Sequence, residues 1–178
     1  MDALAYVEQM RASYVQALTQ TWRDLVASRA SIFPEITVLL SNGLPYTIDF
    51  VQRWSDGREY VVEMSTPPAA VPASVSSDYR GLVLHFDAPI WGAMQVTPLD
   101  CTLPENRLAA WLTRWMDVDG HFGNAEDAPF SGVVHNMIVD HGKLLIDFGS
   151  ARAAAFFALM DILKESGCSS ARIESSVD

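Results

Sequence analysis

The chain has 178 residues, of which 49% are hydrophobic and 19% charged, so it fits one domain with its own core and is not a disordered chain. Its net charge of −10 and its 12 scattered basic residues argue against nucleic acid as a partner, because phosphate binding needs clustered lysine and arginine. No membrane-length apolar run occurs, and the start resembles no secretory signal. We therefore expect a cytoplasmic protein with no membrane partner.

A long amphipathic helix is predicted over residues 2–28. Leu4, Val7, Tyr14 and Leu18 recur at helical spacing, and no glycine or proline interrupts the pattern. We expect this helix to cover the domain's own sheet.

Residues 35–41 read as a strand that ends at a turn, and a hairpin follows over 46–54 and 58–64. A three-residue loop with a left-handed Gly57 places Arg53 opposite Glu59, a favourable cross-strand pair. A two-residue loop would mix charge into the apolar face. The longer loop instead gathers six apolar side chains on one buried face: Ile48, Phe50, Trp54, Tyr60, Val62 and Met64.

The middle of the chain alternates irregular and regular segments. Residues 66–78 are rich in proline and serine, which predicts an exposed excursion rather than a strand or a linker between domains. Residues 81–86 and 91–97 are expected to pair as two strands. A helix near 104–117 then begins at a capping box, Thr102 to Glu105, and an acidic loop occupies 117–129.

The last block is a hairpin over residues 133–149 followed by an apolar helix near 150–166. A turn at His141-Gly142 predicts that Met137 lies opposite Ile146. Ser150 is the expected N-cap, and Gly167 is the expected left-handed residue after the helix. A short final strand is predicted over 171–177.

These elements predict a single α+β domain spanning 1–178. Its mainly antiparallel sheet, of six to eight strands built from hairpins, is covered by the N-terminal helix and the two later ones.

No catalytic motif is present in the sequence, and we predict neither a cofactor nor a metal site. His135 is expected to be a satisfied histidine on an apolar strand face, and Cys101 and Cys168 are expected to be reduced structural thiols. The acidic loop lacks the glycine and glutamate positions of a calcium-binding EF-hand. We expect a solvated loop first and a partner contact second, with a non-standard cation site at Asp117, Asp119 and His121 as a further alternative.

The first functional hypothesis is a non-enzymatic binding protein, an inhibitor of the bacterial immunity kind. It would occlude a basic toxin or enzyme with an acidic face. The expected contact residues are Trp91, as a partly exposed aromatic anchor, and the loop residues Asp117, Asp119, His121, Glu126 and Asp127. The alternatives are a small hydrolase or isomerase with a dispersed site, favoured if His85, His121 and a carboxylate share a cleft, and a ligand-binding or secretion-chaperone domain.

Overall fold

The computed structural model describes residues 2–28, 30–41, 43–64, 71–117 and 129–176. Within these ranges lie three helices, namely α1 (Ala3–Val26), α2 (Glu105–Met116) and α3 (Ala153–Glu165). The strands are β1 (Ser31–Leu39), β2 (Pro45–Arg53), β3 (Glu59–Val62), β4 (Ser74–Tyr79), β5 (Leu82–Asp87), β6 (Met94–Pro98), β7 (Asn136–Asp140), β8 (Lys143–Asp147) and β9 (Ser170–Ser175). The α+β class is confirmed.

The strands form two sheets rather than the expected single one. Strands β1, β2 and β3 make an antiparallel sheet in that order. The other six make a sheet in the order β4-β5-β9-β6-β8-β7, which is antiparallel except for the parallel pair β5 and β9. The predicted direct pairing of residues 81–86 with 91–97 is wrong, because β9 lies between those two strands.

Both predicted hairpin registers are confirmed. Arg53 lies opposite Glu59, with Gly57 at a φ of 84° in the loop between β2 and β3. Met137 lies opposite Ile146, and the turn residues His141 and Gly142 have φ values of 47° and 81°. Two positive φ values match the right-handed twist that a tight hairpin needs.

The core lies between the helices and one face of the six-stranded sheet. The long helix α1 buries Tyr6, Met10 and Leu18, and the Tyr6 ring stacks on Phe86 of β5 with centroids 4.4 Å apart. Helix α3 buries Phe156 and Met160 against the same sheet. Alternation along β5, which buries Leu82, Leu84 and Phe86, directs its intervening residues to the open side of this sheet.

Three local predictions need correction. The excursion expected over 66–78 includes β4 from Ser74 onward, while residues 65–70 lie outside the described ranges. Helix α2 begins after Pro104 with no side-chain cap, so the capping box is absent. Helix α3 begins after Arg152, and the Ser150 hydroxyl accepts a hydrogen bond from the Gly132 amide at 2.9 Å instead of capping the helix.

The two cysteines form a disulfide, which overturns the prediction of reduced thiols. Cys101, before α2, is bonded to Cys168, after α3, and their Cα atoms are 5.0 Å apart. No helix in the described ranges has the length and apolar character needed to cross a membrane.

Candidate functional site

The outer side of the three-stranded sheet carries a continuous group of apolar side chains. None of these side chains packs against the core, and Phe33 and Val61 are 36% and 59% exposed. We call this group the outer apolar face, and it consists of Phe33, Ile36, Val38, Ile48, Val51 and Val61.

A shallow groove of about 350 Å³ runs over the outer apolar face. Its rim holds the Arg53–Glu59 ion pair, with Nε and Oε1 2.5 Å apart, and the Arg53 guanidinium lies 5.0 Å from the centre of the Phe33 ring. Tyr60, which is half exposed, also lines the groove. An apolar centre with a polar, aromatic rim is the usual anatomy of a protein contact surface.

An interruption of strand alternation creates this face. Asp49 and Phe50 are neighbours in β2, and both are buried. Across the strand pair, between the partners of Phe50 and Ile48, lies Glu35 with a φ of 48°. This irregularity directs Ile48 outward, so the prediction that Ile48 shares a buried face with Phe50 is wrong.

A buried histidine lies behind the same strands. His135 immediately precedes β7 and is 1% exposed, as expected for a core histidine. Its Nε2 lies 2.9 Å from Glu35 Oε1, and its Nδ1 lies 3.1 Å from Asp49 Oδ1 and 3.7 Å from Asp147 Oδ2. The two Nδ1 contacts are close enough to be ion pairs. They do not have hydrogen-bond geometry, so Nδ1 has no hydrogen-bond partner in the described structure.

Further hydrogen bonds hold this cluster in place. The Asp49 carboxylate accepts hydrogen bonds from the Met64 amide at 2.7 Å and from the Tyr14 hydroxyl at 3.4 Å. The backbone of His135 accepts a hydrogen bond from the Thr47 amide at 3.0 Å and donates one to Asp147 at 2.9 Å. The histidine therefore joins α1, β1 and β2 to β8 of the six-stranded sheet.

The cluster shifts the pKa values of its members in a consistent way. Burial by itself lowers the pKa of His135, but Asp147, Asp49 and Glu35 more than offset this and hold that pKa well above its usual value. Burial raises the pKa of Asp49, yet the adjacent His135 imidazole outweighs burial and lowers that pKa. Burial, followed by the charges of Asp147 and Asp49, raises the pKa of Tyr14.

Two residues at the edge of the cluster, Glu63 and Tyr46, also have shifted pKa values. Burial and the charge of Asp49 raise the pKa of Glu63. Burial and the neighbouring Glu63 raise the pKa of Tyr46 to about 12, and the Tyr46 hydroxyl donates to Glu63 Oε1 at 3.2 Å.

This cluster contains the residue types of an acid–base catalytic site, but its histidine is too buried to reach a substrate. His135, Glu35 and Asp49 are all buried. No group of three or more histidine, cysteine, aspartate or glutamate side chains in those ranges is arranged to hold a metal ion. We therefore interpret the cluster as the support that holds β1 and β2, with their outer apolar face, against the domain.

Of the six predicted contact residues, the structure describes Trp91 and Asp117. Trp91 is 1% exposed, stacks on Phe148 and donates through Nε1 to the Gly149 carbonyl at 2.9 Å, so its expected exposure is wrong. Asp117 ends α2 in a left-handed conformation. Asp119, His121, Glu126 and Asp127 lie outside the described residues, and their role stays a prediction.

Sequence reasoning missed the outer apolar face. The available signal was the composition of β1, in which Ile32, Phe33, Ile36 and Val38 give both sides of the strand apolar residues. A half-buried strand with one solvated face has polar residues at alternate positions.

Comparison of the chain with protein-family models, with curated proteins and with solved structures found no match. The class of protein that the fold and the site define is thus an α+β domain with an exposed apolar sheet face.

Proposed function

We propose that this protein is a non-enzymatic protein-binding module that inhibits its partner by covering it. The observation that carries the proposal is the outer apolar face, where six apolar side chains on three neighbouring strands line one open groove. Exposed apolar groups of this kind mark contact surfaces more often than isolated exposed residues do.

The partner that fits is a separate protein with an apolar contact surface and a basic surround. The chain's net charge of −10 attracts a basic protein and opposes the approach of a second copy of itself. A bacterial immunity-type inhibitor of a basic toxin or enzyme, acting in the cytoplasm, is the physiological form of this proposal.

The described carboxylates support a steering role more than a single acidic contact patch. Four of them form ion pairs with arginine, Asp56 and Glu59 at the β2–β3 hairpin and Asp161 and Glu165 on α3. Three others, Glu35, Asp49 and Asp147, surround His135. Charge therefore assists the approach, and the outer apolar face provides the contact.

The test is affinity capture from the native organism with the wild-type protein and two matched surface variants. Val61→Glu places a charge on the outer apolar face, whereas Ile138→Glu places one at an equally exposed site on β7. We expect a basic protein to be enriched by the wild type and by Ile138→Glu but not by Val61→Glu. Equal capture by all three proteins, or self-association through this face in sedimentation, contradicts the proposal.

A further inference from the structure

The open side of the six-stranded sheet carries a polar row that the proposed function does not use. Strand pairing aligns Ser76 of β4, His85 of β5, Arg172 of β9 and Thr97 of β6. A cavity of about 380 Å³ lies over one end of this row, and its polar lining residues are Ser74, Ser76, His85, Asp87 and Arg172.

Two side chains of opposite charge, Arg172 and Asp87, line this cavity but do not form an ion pair with each other. The side chains of Arg172 and Asp87, both exposed, form no ion pair within 4.0 Å and no hydrogen bond with any residue in the described ranges. Arg53, Arg58, Arg80 and Arg107, by contrast, each pair with a carboxylate. Glu174, the residue opposite Asp87, accepts a hydrogen bond from Gln95 instead.

The parallel pairing of β5 with β9 places both charges on the same side of the sheet. Arg172 lies opposite His85, and Asp87 lies two residues further along β5. The cavity of about 380 Å³ that both side chains line provides the room for a small ligand.

Two hydroxyl groups lie in the same row as Arg172, that of Ser76 in the cavity and that of Thr97 on the adjacent strand β6. The Ser76 hydroxyl and His85 Nδ1 are 2.9 Å apart. The buried Thr97 hydroxyl, on the strand beside Arg172, has no hydrogen-bond partner in the described structure. Guanidinium and hydroxyl donors together are suited to a carboxylate, which arginine binds through two parallel hydrogen bonds.

We propose that this cavity binds a small zwitterion of the α-amino acid class, with its carboxylate on Arg172 and Ser76 and its ammonium group on Asp87. A ligand with both charges satisfies both unpaired side chains, whereas a simple anion meets the repulsion of Asp87. The volume of about 380 Å³ lies within the range of small-molecule sites. This site is separate from the outer apolar face and does not depend on it.

The test is titration of the isotope-labelled protein, followed by NMR, with each common amino acid, with acetate and with ethylammonium. We expect at least one amino acid to shift the amide signals of Ser76, His85 and Arg172. Because only the amino acid contacts both charged side chains, it should bind roughly tenfold or more tightly than either singly charged probe. No shift with any amino acid, or equal binding of acetate, overturns the proposal.

Two variants and a control test whether Arg172 binds the ligand carboxylate and Asp87 binds its ammonium group. Arg172→Gln should abolish the response to the amino acid. Asp87→Asn should weaken amino acid binding about tenfold without weakening acetate binding. The control is Arg80→Gln, which removes an exposed arginine paired with Asp161 elsewhere and should change neither. If Asp87→Asn strengthens amino acid binding, the cavity is a plain anion site and the zwitterion proposal is wrong.

Discussion

The charge of His135 is part of the fold, because three carboxylates from different strands surround its ring. A protonated imidazole offsets part of this negative charge, whereas a neutral one offsets none of it. Buried charges are tolerated only when they are paired in this way.

The stability of the protein should therefore decline at alkaline pH. The folded-state pKa of His135 is raised above 6.5, so its stabilising contribution is complete below pH 6.5 and is lost as pH rises through the folded-state pKa. Asp49, whose pKa is lowered from 3.8, acts in the opposite range, and its contribution is lost as pH falls through that lower value. Chemical denaturation across pH should give maximal stability between these two limits, and stability that keeps rising above neutral pH contradicts this account.

Replacing the histidine removes the cation and leaves the carboxylates. His135→Gln should lower the free energy of unfolding by about 3–5 kcal/mol, as expected when one partner of a buried ion pair is removed. It should also flatten the alkaline decline. The matched control is His141→Gln, because His141 lies in an exposed turn and contacts only Asp140. Equal small effects of the two variants in urea denaturation would show that the cluster carries little stability.

Gly149 is required because the imidazole occupies the space of a side chain there. A Cβ at Gly149 would meet the Cδ2 atom of His135 at 2.1 Å, whereas a Cβ at Gly142 would meet nothing within 4 Å. Both glycines have positive φ, so alanine is strained at both positions. Gly149→Ala should therefore cost about 1–3 kcal/mol more than Gly142→Ala, the extra cost being that of overpacking. Equal thermal unfolding of the two variants would argue against this close packing.

At the scale of elements, the disulfide connects the start of α2 with the end of α3. It closes a segment of 67 residues, so the chain-entropy estimate of its stabilisation is about 4 kcal/mol. The double variant Cys101→Ser/Cys168→Ser should lose a stability of this order in denaturant melts, with reduced wild-type protein as the comparison. A thiol assay that finds two free cysteines in the native protein would contradict the bond itself. Disulfides are typical of oxidising compartments, so this assay also bears on the cytoplasmic prediction.

The elements that could be predicted are those whose geometry is local. The loop at Gly57 and the turn at His141-Gly142 fix the register of their hairpins through a few adjacent residues. The periodicity of α1 likewise depends on neighbours along one segment. By contrast, the central position of β9 between β5 and β6 depends on pairings between distant parts of the chain, for which a single sequence gives no signal.

Only part of the candidate site, the apolar composition of β1, could have been predicted, for the same reason. The outward direction of Ile48 follows from the irregularity at Glu35 and Asp49, and this irregularity is stabilised by His135, which is 100 residues from Glu35 in sequence. The prediction for Trp91 failed because an irregular neighbourhood was read as exposure. The backbone there instead lets the Trp91 indole reach the Gly149 carbonyl.

At the scale of the whole molecule, the two sheets present two different surfaces. The three-stranded sheet offers apolar side chains to a partner, and the open side of the six-stranded sheet offers polar and charged ones. A charge of −10 should make the association rate with a basic partner fall steeply as salt rises. The dissociation rate, which reports the apolar contact, should change little. Rates measured by surface plasmon resonance at several salt concentrations separate these two effects. An association rate that does not depend on salt would show that the net charge does not attract the partner.

Carbene footprinting of the complex with the captured partner tests the central claim most directly, because it reports which side chains the partner covers. The account predicts that labelling of Phe33, Tyr60 and Val61 falls sharply in the complex, while labelling of Ile138, which is 49% exposed on β7, is unchanged. Full labelling of Phe33 and Val61 in a stable complex would show that the partner binds elsewhere.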